Sequence, residues 1–229
     1  MIPLFDNIPV RRFAFVTYAL IAANFVVWFW ELGSRGTRVD HYAFYPCAVS
    51  GPCVGAARDH VSWPEGVFSG MFMHASWWHI GGNMLFLFIF GNNVEDVMGR
   101  VRFLVFYVAA GFAAALAQAW VTLHYAGTSA ASVPTVGASG AIAGVLGAYI
   151  VLLPHARVIA ILGFLPLPLS AFFFIGLWFV LQLWQSGFSA THPQAGGGVA
   201  FAAHVGGFLF GAVTVRGFQV RQPLGPRRR

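Results

Sequence analysis

Hydrophobic residues make up 58% of this 229-residue chain and charged residues only 9%. This composition excludes a soluble domain, because one soluble core of this size cannot bury so much apolar surface. The net charge is +6 and every Lys or Arg position is arginine, and most arginines flank apolar segments, which favours a membrane protein over a nucleic-acid-binding protein. We interpret residues 1–229 as a single membrane domain.

Apolar segments long enough to cross a hydrocarbon core of about 30 Å recur along the chain. Helices are expected, because lipid-exposed backbone must satisfy its own hydrogen bonds and no alternating barrel pattern is present. The first segment is expected to remain as a helix, since no small-residue cleavage site follows it. We predict an all-α polytopic fold with spans at 13–32, 77–94, 103–123, 138–154, 169–186 and 199–216.

The distribution of arginine predicts the orientation. Six spans place both termini on one side, and if that side is the cytosol, ten arginines face it and three face outside, as the positive-inside rule requires. The cytosolic set is Arg11, Arg12, Arg100, Arg102, Arg157, Arg216, Arg221, Arg227, Arg228 and Arg229, and the external set is Arg35, Arg38 and Arg58. Residues 217–229 then form a basic cytosolic tail, whose terminal arginines contact anionic lipid or act as a retention charge, and 33–76 form an external loop.

Both cysteines, Cys47 and Cys53, lie in this loop, in the string CAVSGPC. An oxidising external space would allow a disulfide across the short Gly-Pro loop. Two free thiols are equally compatible with the sequence.

Polar residues inside the spans are candidate functional residues, because they are unfavourable in lipid. His79 and Asn83 lie four residues apart, on one face of the second span, while Ser139 opens the fourth span and His204 lies in the sixth. Counted at about 1.5 Å per residue, all four lie roughly 18 to 24 Å above the cytosolic interface. They therefore share one layer, about 6 to 12 Å below the outer edge of the core, where water can reach them.

Small residues predict that the fourth and sixth spans pack closely. A packing stripe explains the small residues but not the imidazole that lies among them. We therefore expect Ser139 to meet His204. The small residues are Gly140, Gly144 and Gly147 in the fourth span, and Ala200, Gly207 and Gly211 in the sixth.

A serine hydroxyl needs a base within hydrogen-bond reach, and neutral imidazole is suited to that task. We predict a dyad of Ser139 and His204, because every Asp and Glu lies in a loop or at a helix end and none is available for a triad. The Ser139 backbone N–H at the helix start, with Asn83 and His79, would stabilise an oxyanion. The alternative role for His79 and Asn83 is an interhelical hydrogen bond, and for His74 it is capping or packing.

The sequence lacks the residues that other classes of intramembrane protease require. No HExxH string occurs, although a zinc protease would need one. No pair of Asp residues lies within the spans, as an aspartyl protease would require. Three His residues without Cys or carboxylate at matching depth do not favour a metal site, so neither metal nor cofactor is expected.

These motifs resemble the rhomboid family of intramembrane serine proteases over about 68–216 and the first span. The resemblance implies a six-helix bundle in which Ser139 is the nucleophile, His204 is the base, and His79 and Asn83 hold oxyanion positions. It makes His74, Gly137 and Gly140 supporting residues and places a lateral gate near Trp184 to Gly198. The strings that carry it are HASWWHIGGNM at 74–84, GASG at 137–140 and AHVGGFLFG at 203–211.

Two positions depart from the family pattern. Many members carry a Trp-Arg pair in the first external loop where this chain has Glu65 and Gly66. Trp63 and Pro64, just before them, resemble that pair only roughly. We expect the docking of the loop to differ and the chemistry to be intact. Some members stack an aromatic ring, four residues after the serine, on the histidine. That position is Ala143 here, so something else must orient His204, with packing alone as one option.

The resemblance implies hydrolysis of a peptide bond in or near the outer part of a single-span substrate helix, through an acyl-enzyme. The expected partners are transmembrane substrates and membrane lipids, and the sequence does not indicate an oligomeric state. One alternative is a pseudoprotease that binds transmembrane clients without cleavage. Another is a small transporter, which internal symmetry would favour, but no symmetric pair is present. An all-Arg, Ala- and Gly-rich chain favours a bacterial inner membrane, with the active site open to the extracytoplasmic side.

Overall fold

A computed structural model describes residues 2–34, 36–191 and 200–225, with the backbone alone for 189–191. The helices of the first half are α1 (Phe15–Leu32), α2 (Thr37–Tyr42), α3 (Trp63–Gly70), α4 (Trp77–Phe86) and α5 (Asn92–Met98), and a π-helical turn at Leu87–Gly91 joins α4 to α5. The second half adds α6 (Arg100–Val121), α7 (Gly127–Ala131), α8 (Ser139–Leu152), α9 (Ala171–Thr191) and α10 (Phe201–Phe218). The strands are β1 (Ile2–Asp6), β2 (Arg157–Leu162) and β3 (Leu165–Ser170).

The described residues of each predicted span are mostly helical, and the chain is an integral membrane protein. Among the described residues, four helical segments are long and apolar enough to cross a membrane, at Phe15–Leu32, Arg100–Ala131, Ala171–Phe188 and Phe201–Phe218. The apolar helix Ser139–Leu152 is shorter, and the second predicted span is divided among α4, the π turn and α5. The count of six spans therefore stays a prediction.

The expected all-α class needs one correction, because the chain also forms a three-stranded antiparallel sheet in the order β1-β2-β3. The central strand β2 pairs Val158 with Leu169 and Ala160 with Leu167 of β3. Val158 and Ala160 are fully buried against the helices, so the segment between the fourth and fifth predicted spans forms an alternating strand that packs on the bundle. Prolines 166 and 168 are tolerated because β3 is an edge strand.

Two arginines from opposite ends of the chain bind the same residue, Asp96, one through its carboxylate and the other through its backbone carbonyl. Arg11 Nη1 donates to Asp96 Oδ2 at 2.9 Å, and Arg221 Nη1 donates to the Asp96 carbonyl oxygen at 2.9 Å. The two ends of the described chain therefore lie at one end of the bundle. The predicted positions Arg35 and Arg227 to Arg229 lie outside the described residues.

Glycine allows α8 and α10 to touch through their backbones. A Cβ on Gly211 would lie 2.7 Å from the carbonyl carbon of Gly144, and a Cβ on Gly207 would lie 3.0 Å from that of Gly140. Neither methyl group fits, since carbon atoms in contact are about 3.5 to 4.0 Å apart. This contact sets the distance between Ser139 at the start of α8 and His204 in the first turn of α10.

Candidate active site

Ser139 and His204 meet across the contact of α8 and α10. The Oγ–H of Ser139 donates to Nε2 of His204 at 2.8 Å, a normal length for a hydrogen bond. Both side chains are partly buried. The expected meeting of the two groups is therefore present in the geometry, while their roles in a reaction stay a prediction.

The other imidazole nitrogen also has a partner. Nδ1 of His204 lies 2.7 Å from Oε1 of Gln182 on α9, and Gln182 is buried. Because an amide oxygen can only accept, Nδ1 of the neutral ring carries the proton and donates it to Gln182, and Nε2 therefore accepts from the Ser139 hydroxyl. Sequence reasoning missed Gln182, although a polar residue within the predicted span 169–186 is the signal that could have found it.

An aromatic ring near His204 also comes from α9. The rings of Trp178 and His204 have centroids 5.8 Å apart and planes inclined at 36°, and Trp178 lies one turn before Gln182. Ala143, at the position where some rhomboids carry an aromatic residue, is fully buried in the helix contact. Two side chains of α9 therefore contact the imidazole, for which packing alone was one option, and Gln182 adds a hydrogen bond to that packing.

His79 and Asn83 face the turn that leads into α8. Gly137 has a φ of +120°, a conformation that favours glycine, and a Cβ there would lie 2.7 Å from Nε2 of His79 and 3.5 Å from Nδ2 of Asn83. The Gly137 N–H donates to the Gly70 carbonyl oxygen at 2.8 Å. Gly137 thus lets both polar side chains approach within two residues of Ser139, and their oxyanion role stays a prediction.

The side chain of His74 fixes the position of the Asn83 amide. Nδ2 of Asn83 donates to Nε2 of His74 at 3.0 Å, and the rings of His74 and His79 lie edge to face with centroids 5.1 Å apart. The backbone N–H of His74 donates to the carboxylate of Glu31 at the end of α1, at 3.2 and 3.3 Å to the two oxygens. His74 and Glu31 are both buried, and Glu31 is a second residue that sequence reasoning did not single out.

A small cavity of about 40 Å³ lies beside the serine. Apolar side chains and glycines form most of its wall, which leaves room for one small group. Gly140 follows Ser139 and belongs to this wall, and a Cβ on it would lie 2.6 Å from Cβ of Ala114 on α6. The residues of the wall include Ser139, Gly137, Met71, Ala114 and Ala203.

The segment between α1 and α4, which the sequence predicts to be external, is partly helical. Cys47 and Cys53 are bonded to each other there, with their Cα atoms 5.3 Å apart. At the start of α3, the Glu65 carboxylate accepts from the N–H and Oγ–H of Ser62 at 3.1 and 2.6 Å, and the Ser62 side-chain bond lowers the pKa of Glu65. A Cβ on Gly66 would lie 2.8 Å from the Ala43 carbonyl oxygen. Glu65 and Gly66 thus have local structural roles where many rhomboids carry Trp-Arg.

In the described part of the chain, no group of three or more His, Cys, Asp or Glu side chains is placed to hold a metal ion. The predicted gate region is only partly described, because residues 192–198 lie outside the described ranges.

Apolar helices around a hydrogen-bonded serine–histidine pair define a polytopic membrane protein with a polar site inside the bundle. Residues 62–219 match the family model described as Rhomboid domain, which is more than half of the chain. The chain therefore belongs to the rhomboid family.

A curated relative extends the similarity toward the N-terminus. The chain is 28% identical over 203 residues to "Rhomboid protein 1, mitochondrial" of Saccharomyces cerevisiae, an alignment that covers 86% of this chain and 51% of the relative. The chain thus spans about half the length of that protein. Because the relative is mitochondrial, it does not support the bacterial inner membrane expected from the composition.

Proposed function

We propose that this protein is an intramembrane serine endopeptidase that cleaves single-span membrane proteins in or near the outer part of their transmembrane helix. The observation that supports this most directly is the 2.8 Å hydrogen bond between the Ser139 hydroxyl and Nε2 of His204. Membership of the rhomboid family supports a function of the intramembrane-protease type. The polar layer would open to the extracytoplasmic side, with both termini in the cytosol.

The proposed reaction has two halves. Oγ of Ser139 attacks the scissile carbonyl carbon while Nε2 of His204 takes the hydroxyl proton, which gives a tetrahedral intermediate. Collapse breaks the C–N bond, and the imidazolium returns the proton to the departing amine, leaving an ester on Ser139. Water then attacks this acyl-enzyme with His204 again as base, which releases the new carboxyl end and restores the serine.

Oxyanion stabilisation would come from the turn before α8 and the helix beside it. The backbone N–H of Ser139 lies at the start of α8, where amides have no intrahelical acceptor. His79 and Asn83 approach the same turn at Gly137, and His74 fixes the Asn83 amide through a 3.0 Å bond. Such preorganised donors are each worth about 10² to 10³ in kcat where they have been removed from other hydrolases.

The substrate is expected to carry small or helix-breaking residues at the cleavage site. A regular helix hides its carbonyl groups in hydrogen bonds to residues four positions on, so the scissile segment must unwind. The cavity of about 40 Å³ beside Ser139 accepts only a small side chain. No cofactor enters the proposed reaction.

A rhomboid-like pseudoprotease that binds transmembrane clients without cleavage is the second candidate, because family membership alone does not distinguish it. The hydrogen-bonded serine–histidine pair favours the protease, since a binding function has no need of that bond. A transporter is a weaker alternative, because the chain lacks symmetric polar segments.

The test reconstitutes the full chain in lipid with a fluorescent single-span substrate and treats a parallel sample with a fluorophosphonate probe. The wild type should cleave the substrate and take the label, and Ser139→Ala should do neither. Ser132→Ala is a matched control, because Ser132 lies in the loop before the site and bonds to Thr128 and Val54. A wild type that binds substrate but neither cleaves nor labels would favour the pseudoprotease.

A further inference from the structure

We infer that Gln182 is a positioning residue for His204, so that Ser139, His204 and Gln182 form one hydrogen-bonded chain. This inference rests on the proposed function, which assigns His204 as the base. It adds a residue from α9, a helix that carries no part of the predicted dyad.

The geometry selects one tautomer of His204. An imidazole that accepts from a serine hydroxyl at Nε2 must carry its proton at Nδ1, and that N–H needs an acceptor in a buried site. Oε1 of Gln182 lies 2.7 Å from Nδ1. An amide oxygen therefore takes the position that a carboxylate holds in a Ser-His-Asp triad, and without it the ring could rotate or carry its proton on the wrong nitrogen.

Gln182, the acceptor, lies on α9. This helix has the smallest buried fraction of the four described helical segments that are long and apolar enough to cross a membrane. Only 22% of the residues in the α9 span are buried, against 39% in the segment Arg100–Ala131. The sheet end of α9 is fixed, since the Ala171 N–H donates to the Ala156 carbonyl oxygen at 2.7 Å and Phe174 is fully buried. Around Gln182, by contrast, Leu181 and Leu183 are exposed.

The hydrogen bond between His204 and Gln182 links the position of α9 to the orientation of the catalytic base. An outward displacement of its far half by more than about 1 Å would carry Oε1 beyond hydrogen-bond distance of Nδ1. His204 would then lose the acceptor that fixes its tautomer. The base is therefore fully oriented only while α9 lies against α10.

The experiment compares Gln182→Met, which keeps the length of the side chain but removes the acceptor, with Gln182→Glu, which keeps an acceptor oxygen. Two rates are measured in reconstituted protein: fluorophosphonate labelling, which needs no substrate helix, and cleavage with kcat and KM separated. Gln182→Met should lower both the labelling rate and kcat by about 10- to 100-fold, the usual size of such supporting hydrogen bonds, with KM little changed. Gln182→Glu should restore most of the labelling rate.

Gln185→Met is the matched control, because Gln185 lies on the same helix and is exposed, and it should behave as wild type. Equal labelling by wild type and Gln182→Met would overturn the inference while leaving the protease intact. A change in KM alone would also overturn it, since that result indicates a role in substrate binding. A wild type that takes no label would instead refute the proposed function.

An independent observation concerns the sheet, and from it we infer that the sheet and its β2–β3 hairpin bind the acyl-chain boundary of the adjacent membrane leaflet. One face packs on the helices through Val158 and Ala160. Apart from Arg157 and Ser170 at its end, the opposite face is also apolar, which a sheet facing water would not be. Its residues pair across the strands as Ile2 with Ile161, Phe5 with Ile159, Pro166 with Ile161 and Pro168 with Ile159.

The hairpin turn continues this apolar surface toward lipid. Phe164 is 100% exposed, with Leu162 and Leu165 exposed beside it. Directly after β3, Phe172 and Phe173 are exposed at the start of α9, a segment that is long and apolar enough to cross the membrane. Because the hairpin surface is continuous with that of α9, lipid is the occupant that fits it.

A thiol-reactive NBD fluorophore on Phe164→Cys tests this contact, since both native cysteines are bonded to each other. In nanodiscs, the label should emit at blue-shifted wavelength and be quenched by phospholipid brominated on its acyl chains. Arg12→Cys, an exposed polar position, should instead be quenched by iodide. Iodide quenching of the label at 164 would overturn the inference, and so would a blue shift without bromolipid quenching, which would favour contact with a second copy of the chain.

Discussion

Substitution of Gly211 by alanine should separate α8 from α10 and inactivate the site from a distance. The added methyl group would lie 2.7 Å from the carbonyl carbon and 2.8 Å from Cα of Gly144. Carbon atoms in contact need about 3.5 to 4.0 Å, so the two backbones must part by about 1 Å. Backbone cannot rotate away as a long side chain could, and α10 must therefore shift as a unit.

This shift of α10 is large enough to break the hydrogen bond between Ser139 and His204. A displacement of about 1 Å lengthens the 2.8 Å contact of Ser139 and His204 beyond hydrogen-bond range. Misplacement of reacting groups by about 1 Å can reduce a rate by about 10²-fold, and overpacking lowers the free energy of unfolding by about 1 to 3 kcal/mol. We therefore expect a folded but less stable protein with about 10²-fold slower cleavage.

The control is Gly217→Ala on the same helix, where an added methyl group meets no atom within 4 Å. Its stability should be unchanged or raised by up to about 1 kcal/mol. Thermal unfolding in detergent and the cleavage rate in lipid vesicles are measured for both variants. If Gly211→Ala cleaves as fast as Gly217→Ala, the close contact of α8 and α10 does not set the geometry of the site.

Three further changes test other parts of the fold. Replacement of Cys47 and Cys53 by serine should lower the free energy of unfolding by about 2 kcal/mol, and maleimide should label the wild type only after reduction; labelling without reductant would contradict the bond. Burial raises the pKa of Asp6, so the folded protein binds a proton there more tightly than the unfolded chain, and stability should fall as pH rises from about 4 through that raised pKa. Asp6→Asn should flatten this slope in thermal unfolding, and an equal slope would refute the assignment. Ser76→Ala removes the oxygen that accepts the His79 N–H at 3.1 Å and should lower the unfolding free energy by about 1 kcal/mol, seen as a lower melting temperature; an unchanged one would show that the cap is not needed.

The meeting of Ser139 and His204 could be predicted because two kinds of signal agree. Both residues are polar groups in apolar segments, at matching depth, and both lie beside small residues that let helices touch. His79 and Asn83 were found by the same reasoning. Polarity at a given depth and helical spacing are local properties, so one sequence is enough to show them.

The residues that support the site, Gln182 and Glu31, could not be predicted in the same way. Gln182 is a polar residue in a predicted span, but its acceptor role depends on how α9 is rotated against α10, which composition does not determine. Glu31 ends α1 and looks like an ordinary interfacial charge until the fold brings His74 to it. The sheet was not predicted because its strands lie almost entirely outside the predicted spans, and the pairing of β2 with β1 joins residues about 155 positions apart, which a local pattern does not show.

In the proposed reaction, His204 activates the hydroxyl of Ser139. The most direct measurement is mass-spectrometric mapping of the fluorophosphonate adduct on the reconstituted full chain, with substrate cleavage followed in the same preparation. We expect the adduct on Ser139 alone in the wild type, and neither adduct nor cleavage in a folded His204→Ala variant. An adduct on another serine, or full labelling and cleavage without His204, would contradict the account.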